Sequence, residues 1–366
     1  MGINSLLKKE GIEEIKKLDT LSINKIAANI SEKICSTFPS LNLNQSNIFI
    51  SISRLNMYLA KFPNDQSYAK YIYGNNSIYF SKDININDIH TLAIHECLHF
   101  LQELKDSKGK LIRLGLYNLE NKTGLGLNEA AVQYMASISN KSKEDSVTYY
   151  GMTFNSISPD YYPLECALLN QIIYFTGAEP LYSSTFFSND FFEKKCAEIV
   201  GNEFFKIIED NFDKLLSLEE NISTLSIKLL ESDEISYNAK HIQNKITYTK
   251  KEIKTLFIKM QNLILENFFQ AIFREVESEE ELTRFQEKLY NYKNLLVLTA
   301  EDTFYNDFYC HMMKNIEFKK NQLQKYGQII DIPKERTSLI KLERTTKSLS
   351  KIKKLVYSIK NVIFKS

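Results

Sequence analysis

The chain has 366 residues, of which 43% are apolar and 25% charged, and a net charge of +1 at pH 7. That length can bury more than one core, and the near-neutral charge supplies no global field for nucleic acid or a strongly acidic partner. Cys35, Cys97, Cys166, Cys196 and Cys310 are scattered with no C-x-x-C pair, which excludes a disulfide framework, and no apolar run approaches the roughly 18 residues of a membrane span.

The N-terminus, MGINSLLKKEGIEEIKKLDT, has no secretory apolar run and misses the myristoylation pattern at Leu6, so the expected residence is cytoplasmic. Residues 5–35 read as two short helices on Leu6, Leu7, Ile12, Ile15 and Leu18, then Ile23, Ile26, Ala27, Ile30 and Ile34. Pro39 and the Asn-rich run to Asn47 form a loop, and Ile48–Ile52 reads as a strand. Tyr68–Tyr73 and Ser77–Phe80 flank Gly74-Asn75-Asn76, the pattern of a hairpin. Its open edge is one that an extended peptide can extend.

His95-Glu96-Cys97-Leu98-His99 follows. Residues four apart on a helix lie nearly above one another, so both imidazoles can grip one metal ion while Glu96 reaches a water on that ion. With five histidines in 366 residues, the pattern arises by chance in fewer than about one such chain in a hundred. Asn87-Asp88 offers a helix start, and apolar positions keep a helical period to about Lys105. Asp106–Lys110 is a turn, and Gly124-Leu125-Gly126-Leu127-Asn128-Glu129-Ala130-Ala131 opens a second helix. Catalytic zinc uses three protein ligands and a water. Glu129 is the favoured third ligand, with Glu103 and Glu165 as rivals; the plainer account of Glu129 is a first-turn acid at a helix dipole. Tyr134, Tyr161 and Tyr162 are candidates for stabilising an oxyanion. His90, His241 and His311 read as structural or surface residues.

His95-Glu96-Cys97-Leu98-His99, with Asn128-Glu129-Ala130-Ala131 some thirty residues on, resembles the gluzincin clan of zinc metallopeptidases. The resemblance covers roughly residues 70–215. It implies zinc held by His95, His99 and Glu129, with Glu96 as general base. Gln133 falls where several gluzincins place an acid that orients a zinc histidine; glutamine can still accept that hydrogen bond. The run Tyr161-Tyr162-Pro163-Leu164-Glu165 through Gly177 also resembles a helix found in uncharacterised bacterial members.

From about Phe204 the texture changes. Leu215, Leu218, Ile222, Leu225 and Leu229, then Ile253, Leu256, Met260 and Leu263, take the three- and four-residue steps of a long antiparallel helical hairpin. Helices near 279–297 and 300–325 extend it. The tail from Pro333 reads as a basic amphipathic helix, for which a solvated face is favoured over contact with an anionic membrane. The expected architecture is α+β and predominantly α-helical: a peptidase-like domain over 1–212, with its sheet in 45–82 and active-site helices in 87–140, and a helical region over 213–366. The expected function is zinc-dependent hydrolysis of a peptide or protein. The alternatives are a catalytically inactive, peptidase-derived binding protein and a metal hydrolase acting on something other than a peptide.

Overall fold

The computed structural model describes residues 7–8, 11–63, 69–84, 89–231, 237–297 and 303–329. Helices hold 67% of the residues and strands 14%, so the predominantly α-helical α+β class is observed. The described residues fall into two compact units, one within Met1–Arg274 and Leu289–Tyr305, the other within Glu275–Lys288 and Asn306–Ser366.

The first unit opens differently from expectation. Glu13–Lys17 is a strand (β1) rather than a helix. Gly11, at φ +66°, turns the chain sharply just before it, and β1 then pairs antiparallel with β2 (Asn56–Lys61). Helix α1 (Thr20–Thr37) begins as its cap dictates, with Asp19 accepting from the Ser22 amide at 2.8 Å. The expected strand at Ile48–Ile52 is instead part of helix α2 (Gln45–Ser53). A five-residue apolar run carries too little periodicity to decide; Asn44 caps it, accepting from Asn47 N at 3.0 Å, and Ile48 and Ile52 are buried one turn apart.

The hairpin forms as expected, with β3 (Ala69–Ile72) antiparallel to β4 (Ser77–Ser81) and Tyr71 opposite Ile78. Strand β4 also runs parallel to β2, giving the order β1-β2-β4-β3. The central β4 is buried along its length, and β3 is left at an open edge. Helix α3 (Ile89–Leu101) packs on this sheet through Ala93, Ile94, Cys97 and Leu98, in one core with Ile30, Ile34, Ile78 and Phe80. Residues 87–88, the expected start of α3, lie outside the described residues.

Helix α3 stops at Leu101, not near Lys105, and β5 (Glu103–Lys105) pairs with β6 (Leu111–Leu114). The carbonyl of Gln102 is taken by the Ser188 hydroxyl instead of a further helical amide. Strand β7 (Tyr117–Asn118) completes that sheet, and β8 (Asp145–Tyr149) pairs with β9 (Met152–Ser156). Helix α4 (Leu125–Ser139) lies beside α3, followed by α5 (Pro163–Thr176), α6 (Glu179–Phe187) and α7 (Phe191–Val200).

Two long helices follow, α8 (Asn202–Leu230) and α9 (Tyr237–Glu275). Lys214 Nζ meets Glu252 Oε1 at 3.1 Å, the pairing an antiparallel hairpin about residues 231–237 requires. The boundary anticipated after residue 212 falls inside α8, which belongs to the same unit as α3. Helix α10 (Glu279–Tyr292) and helix α11 (Phe304–Ile329) match the expected C-terminal helices, with Leu282, Phe285, Phe308, Met312 and Ile316 buried. The basic tail from Pro333 lies outside the described residues. Among the described residues no helix is long and apolar enough to cross a membrane.

Candidate metal centre

Helix α3 carries His95 and His99 one turn apart on a half-buried face, and α4 brings Glu129 to meet them. His95 Nε2 and His99 Nε2 are 3.0 Å apart, and Glu129 Oε2 lies 3.4 Å from the first and 3.5 Å from the second. A tetrahedral ion with ligands at about 2.0–2.1 Å separates its donor atoms by about 3.3 Å. The triangle already has those dimensions, so the residues fit a metal ion. Among the described residues this is the one His/Cys/Asp/Glu group of that kind.

His95 is turned by a glutamine. Gln133 Oε1 lies 2.9 Å from His95 Nδ1, while its Nε2 donates to Ser158 Oγ at 2.8 Å and Ser137 Oγ at 3.2 Å. With the amide N–H groups spent on serines, the carbonyl faces the ring, so Nδ1 carries the proton and Nε2 presents its lone pair to the cluster. Gln102 stands beside His99, its amide nitrogen donating 2.8 Å to Asn128 Oδ1. Gln133→Leu should lower the affinity for a divalent metal ion about 10- to 100-fold with the fold intact, measured by competition with a chromogenic chelator.

Charge in the triangle is balanced internally. Burial alone lowers the His99 pKa, but the Glu129 carboxylate overrides it and raises His99 to about 9. Glu129 is held well below the usual carboxylate range by the two histidines, against the opposing effect of burial. An entering ion needs a neutral imidazole, so it must expel the proton that His99 holds below pH 9. Binding of a divalent metal ion near pH 7.5 should therefore release about one proton, and affinity should fall as the pH drops. Titration calorimetry in buffers of different ionisation enthalpy reads both effects.

The start of α4 is held from a distance. The helix has no side-chain cap of its own; Asp213 of α8 accepts from Gly124 N at 2.9 Å and Gly126 N at 2.7 Å. Asn128, buried, accepts from Leu116 N at 3.1 Å in addition to Gln102. These bonds set where Glu129 emerges.

Glu96 Oε2 accepts from the amide of Tyr71 at 2.6 Å. Strand β3 turns that amide away from β4, off its open edge. Tyr162 stacks on the His95 ring, 6.0 Å between centroids at 14°, in left-handed backbone at φ +49° just before Pro163. The Glu129 charge and burial push its phenol well above its ordinary pKa, so it stands protonated as a donor. Two cavities of about 370 and 630 Å³ meet at His95, Glu96 and Tyr162.

The rival ligands lie elsewhere. Glu103 follows the end of α3, accepts from the Tyr71 hydroxyl at 2.6 Å and pairs with Lys105 Nζ at 2.6 Å. Glu165 is wholly buried beside Glu219. Of the tyrosines, Tyr162 alone stacks on a metal-site histidine; Tyr134 lines a separate cavity with Glu144 and Cys166, and Tyr161 lines the 370 Å³ cavity with 37% of its surface exposed. His241 on α9 and His311 on α11 are exposed. The side chain of His90 lies outside the described residues. Asp213, Glu219 and Tyr71 escaped sequence reasoning, having no spacing that ties them to the motif; Gln102, three residues after His99, is the one that spacing could have found.

No protein-family model, curated protein or solved structure matches the chain. Fold and site define the class: a predominantly α-helical α+β protein with a His-His-Glu group able to hold a metal ion.

Proposed function

We propose that the chain is a zinc-dependent peptidase of gluzincin type, working in the cytoplasm. The observation that carries this reading is the three-donor triangle of 3.0–3.5 Å on two adjacent helices, with Glu96 projecting into the same cleft. Two imidazole nitrogens and one carboxylate form a donor set that zinc prefers, and three ligands leave a place for water. When bound, zinc supplies Lewis acidity and makes its water acidic near neutral pH.

The chain's own residues do the rest. Glu96 takes a proton from the attacking water and returns it to the leaving amine. The Tyr71 amide holds that carboxylate in place at 2.6 Å. The Tyr162 hydroxyl, protonated and beside the donors, is placed to give a hydrogen bond to the oxygen that gains charge. The open edge of β3 lines the 630 Å³ cavity through Ala69, Lys70 and Tyr71, and favours a peptide over other carbonyl substrates because an extended backbone can pair there. Five unpaired cysteines, three of them buried, suit a reducing compartment.

The test is direct. Purified protein should carry close to one zinc per chain, cleave an unstructured protein such as casein, and lose that activity on chelation. Protein with His95→Ala should carry none. Wild-type protein that binds no divalent metal would end the proposal.

A further inference from the structure

Glu219, like Asp160 and Glu220, is an acid in the cleft for which hydrolysis has no use. It stands on α8 and lines both cavities, so a chain laid across Glu96 passes it. The 370 Å³ cavity lies within the size range of small-molecule sites. Its apolar walls include Leu92, Ala136 and Ile157, its acids are Glu96, Asp160 and Glu219, and among the described residues its lining holds no Lys or Arg.

A second observation lies behind Glu219. Glu165 is wholly buried there, and neither of its carboxyl oxygens has a hydrogen-bond donor among the described residues. Two carboxyls side by side away from water cannot both be ionised, so they hold one proton between them. Burial and the neighbouring Glu219 charge push Glu165 well above the carboxylate range. Burial raises Glu219 as well, but the Glu165 carboxyl and the Tyr150 hydroxyl donate to it and oppose that rise, so the shared proton sits on Glu165 and the negative charge on Glu219. These two donors orient the Glu219 carboxylate; Lys70 lines the 630 Å³ cavity, and among the described residues the wall of the 370 Å³ cavity carries no cation to match it.

We infer that Glu219 and the apolar surfaces around it form a subsite for a cationic group of the substrate, an alkylammonium or guanidinium. This rests on the peptidase reading above. An aliphatic stem lies along Leu92, Ala136 and Ile157 while the charged head meets the carboxylate in a charge-assisted hydrogen bond.

The test uses the full-length, zinc-loaded protein and fluorogenic peptides that differ only in Lys against norleucine near the scissile bond, each with a free or an acetylated N-terminus. At one position the Lys peptide should show a kcat/KM about 10- to 100-fold higher, and Glu219→Gln should bring that ratio close to one. Preference for a free N-terminus instead of Lys would assign the same subsite to the terminal amine. Equal rates across all pairs would overturn the subsite and leave the peptidase reading standing. A ratio that survives in Glu219→Gln would overturn the role of Glu219, and the wild-type ratio decides the matter even if that variant does not fold. Failure of the zinc-loaded protein to cleave any peptide would overturn both readings together.

Discussion

Under the proposed peptidase mechanism, Glu96→Gln protein should keep bound zinc and lose peptide hydrolysis by about 10²- to 10⁴-fold, the range a positioned general base supplies. The substitution is close to isosteric, and the glutamine carbonyl can still accept from the Tyr71 amide that holds Glu96 at 2.6 Å. The metal donors are untouched, since His95, His99 and Glu129 form the triangle without Glu96. What disappears is an oxygen basic enough to take a proton from water. Metal analysis and initial rates on one peptide separate the two effects. Hydrolysis at the wild-type rate with zinc bound would remove Glu96 from the mechanism.

Gly126→Ala should destabilise the first unit by about 3 kcal/mol or more, the upper end of the usual penalty for overpacking. A Cβ at Gly126 would lie 2.3 Å from the carbonyl oxygen and 2.5 Å from the carbonyl carbon of Phe212. Both are backbone atoms of α8, so no side-chain rotation relieves the clash and the helices must separate. Separation stretches the two hydrogen bonds from Gly124 and Gly126 to Asp213. Zinc affinity should fall as well, because Glu129 leaves α4 one turn later. Gly151→Ala is the control: its Cβ meets nothing within 4 Å, and only the backbone at φ +76° is strained, a cost of about 1–2 kcal/mol. Denaturant unfolding and zinc content of both variants decide the point. Equal midpoints would show that close contact of α4 with α8 does not hold the centre together.

The readings that succeeded were those in which neighbours in the chain are neighbours in space. His95 and His99 share a face because a helix turn brings them together, and Ile23, Ile26, Ile30 and Ile34 fill the core by the same rule. The readings that failed were short. Ile48–Ile52 joined a helix, and Glu13–Lys17 and residues 103–105 left theirs for strands, because partners elsewhere outweighed a few residues of local preference. The expectation of Glu129 over Glu103 and Glu165 turned on packing, which brings Glu129 to the two histidines and leaves Glu103 with Lys105 and Glu165 with Glu219.

Local periodicity and donor chemistry were enough to mark the metal helix, its two imidazoles, the long helical hairpin and the helical class, since each depends on contacts within a few turns. The chain pattern could not show that Asp213 holds the start of α4, that Gln102 bonds Asn128, or that Glu165 backs Glu219. Gln102 and Asn128 are bonded across 26 positions, and Asp213 and Gly124 across 89. Such contacts exist only once burial has brought helices together, and the polar groups trapped there must then find one another.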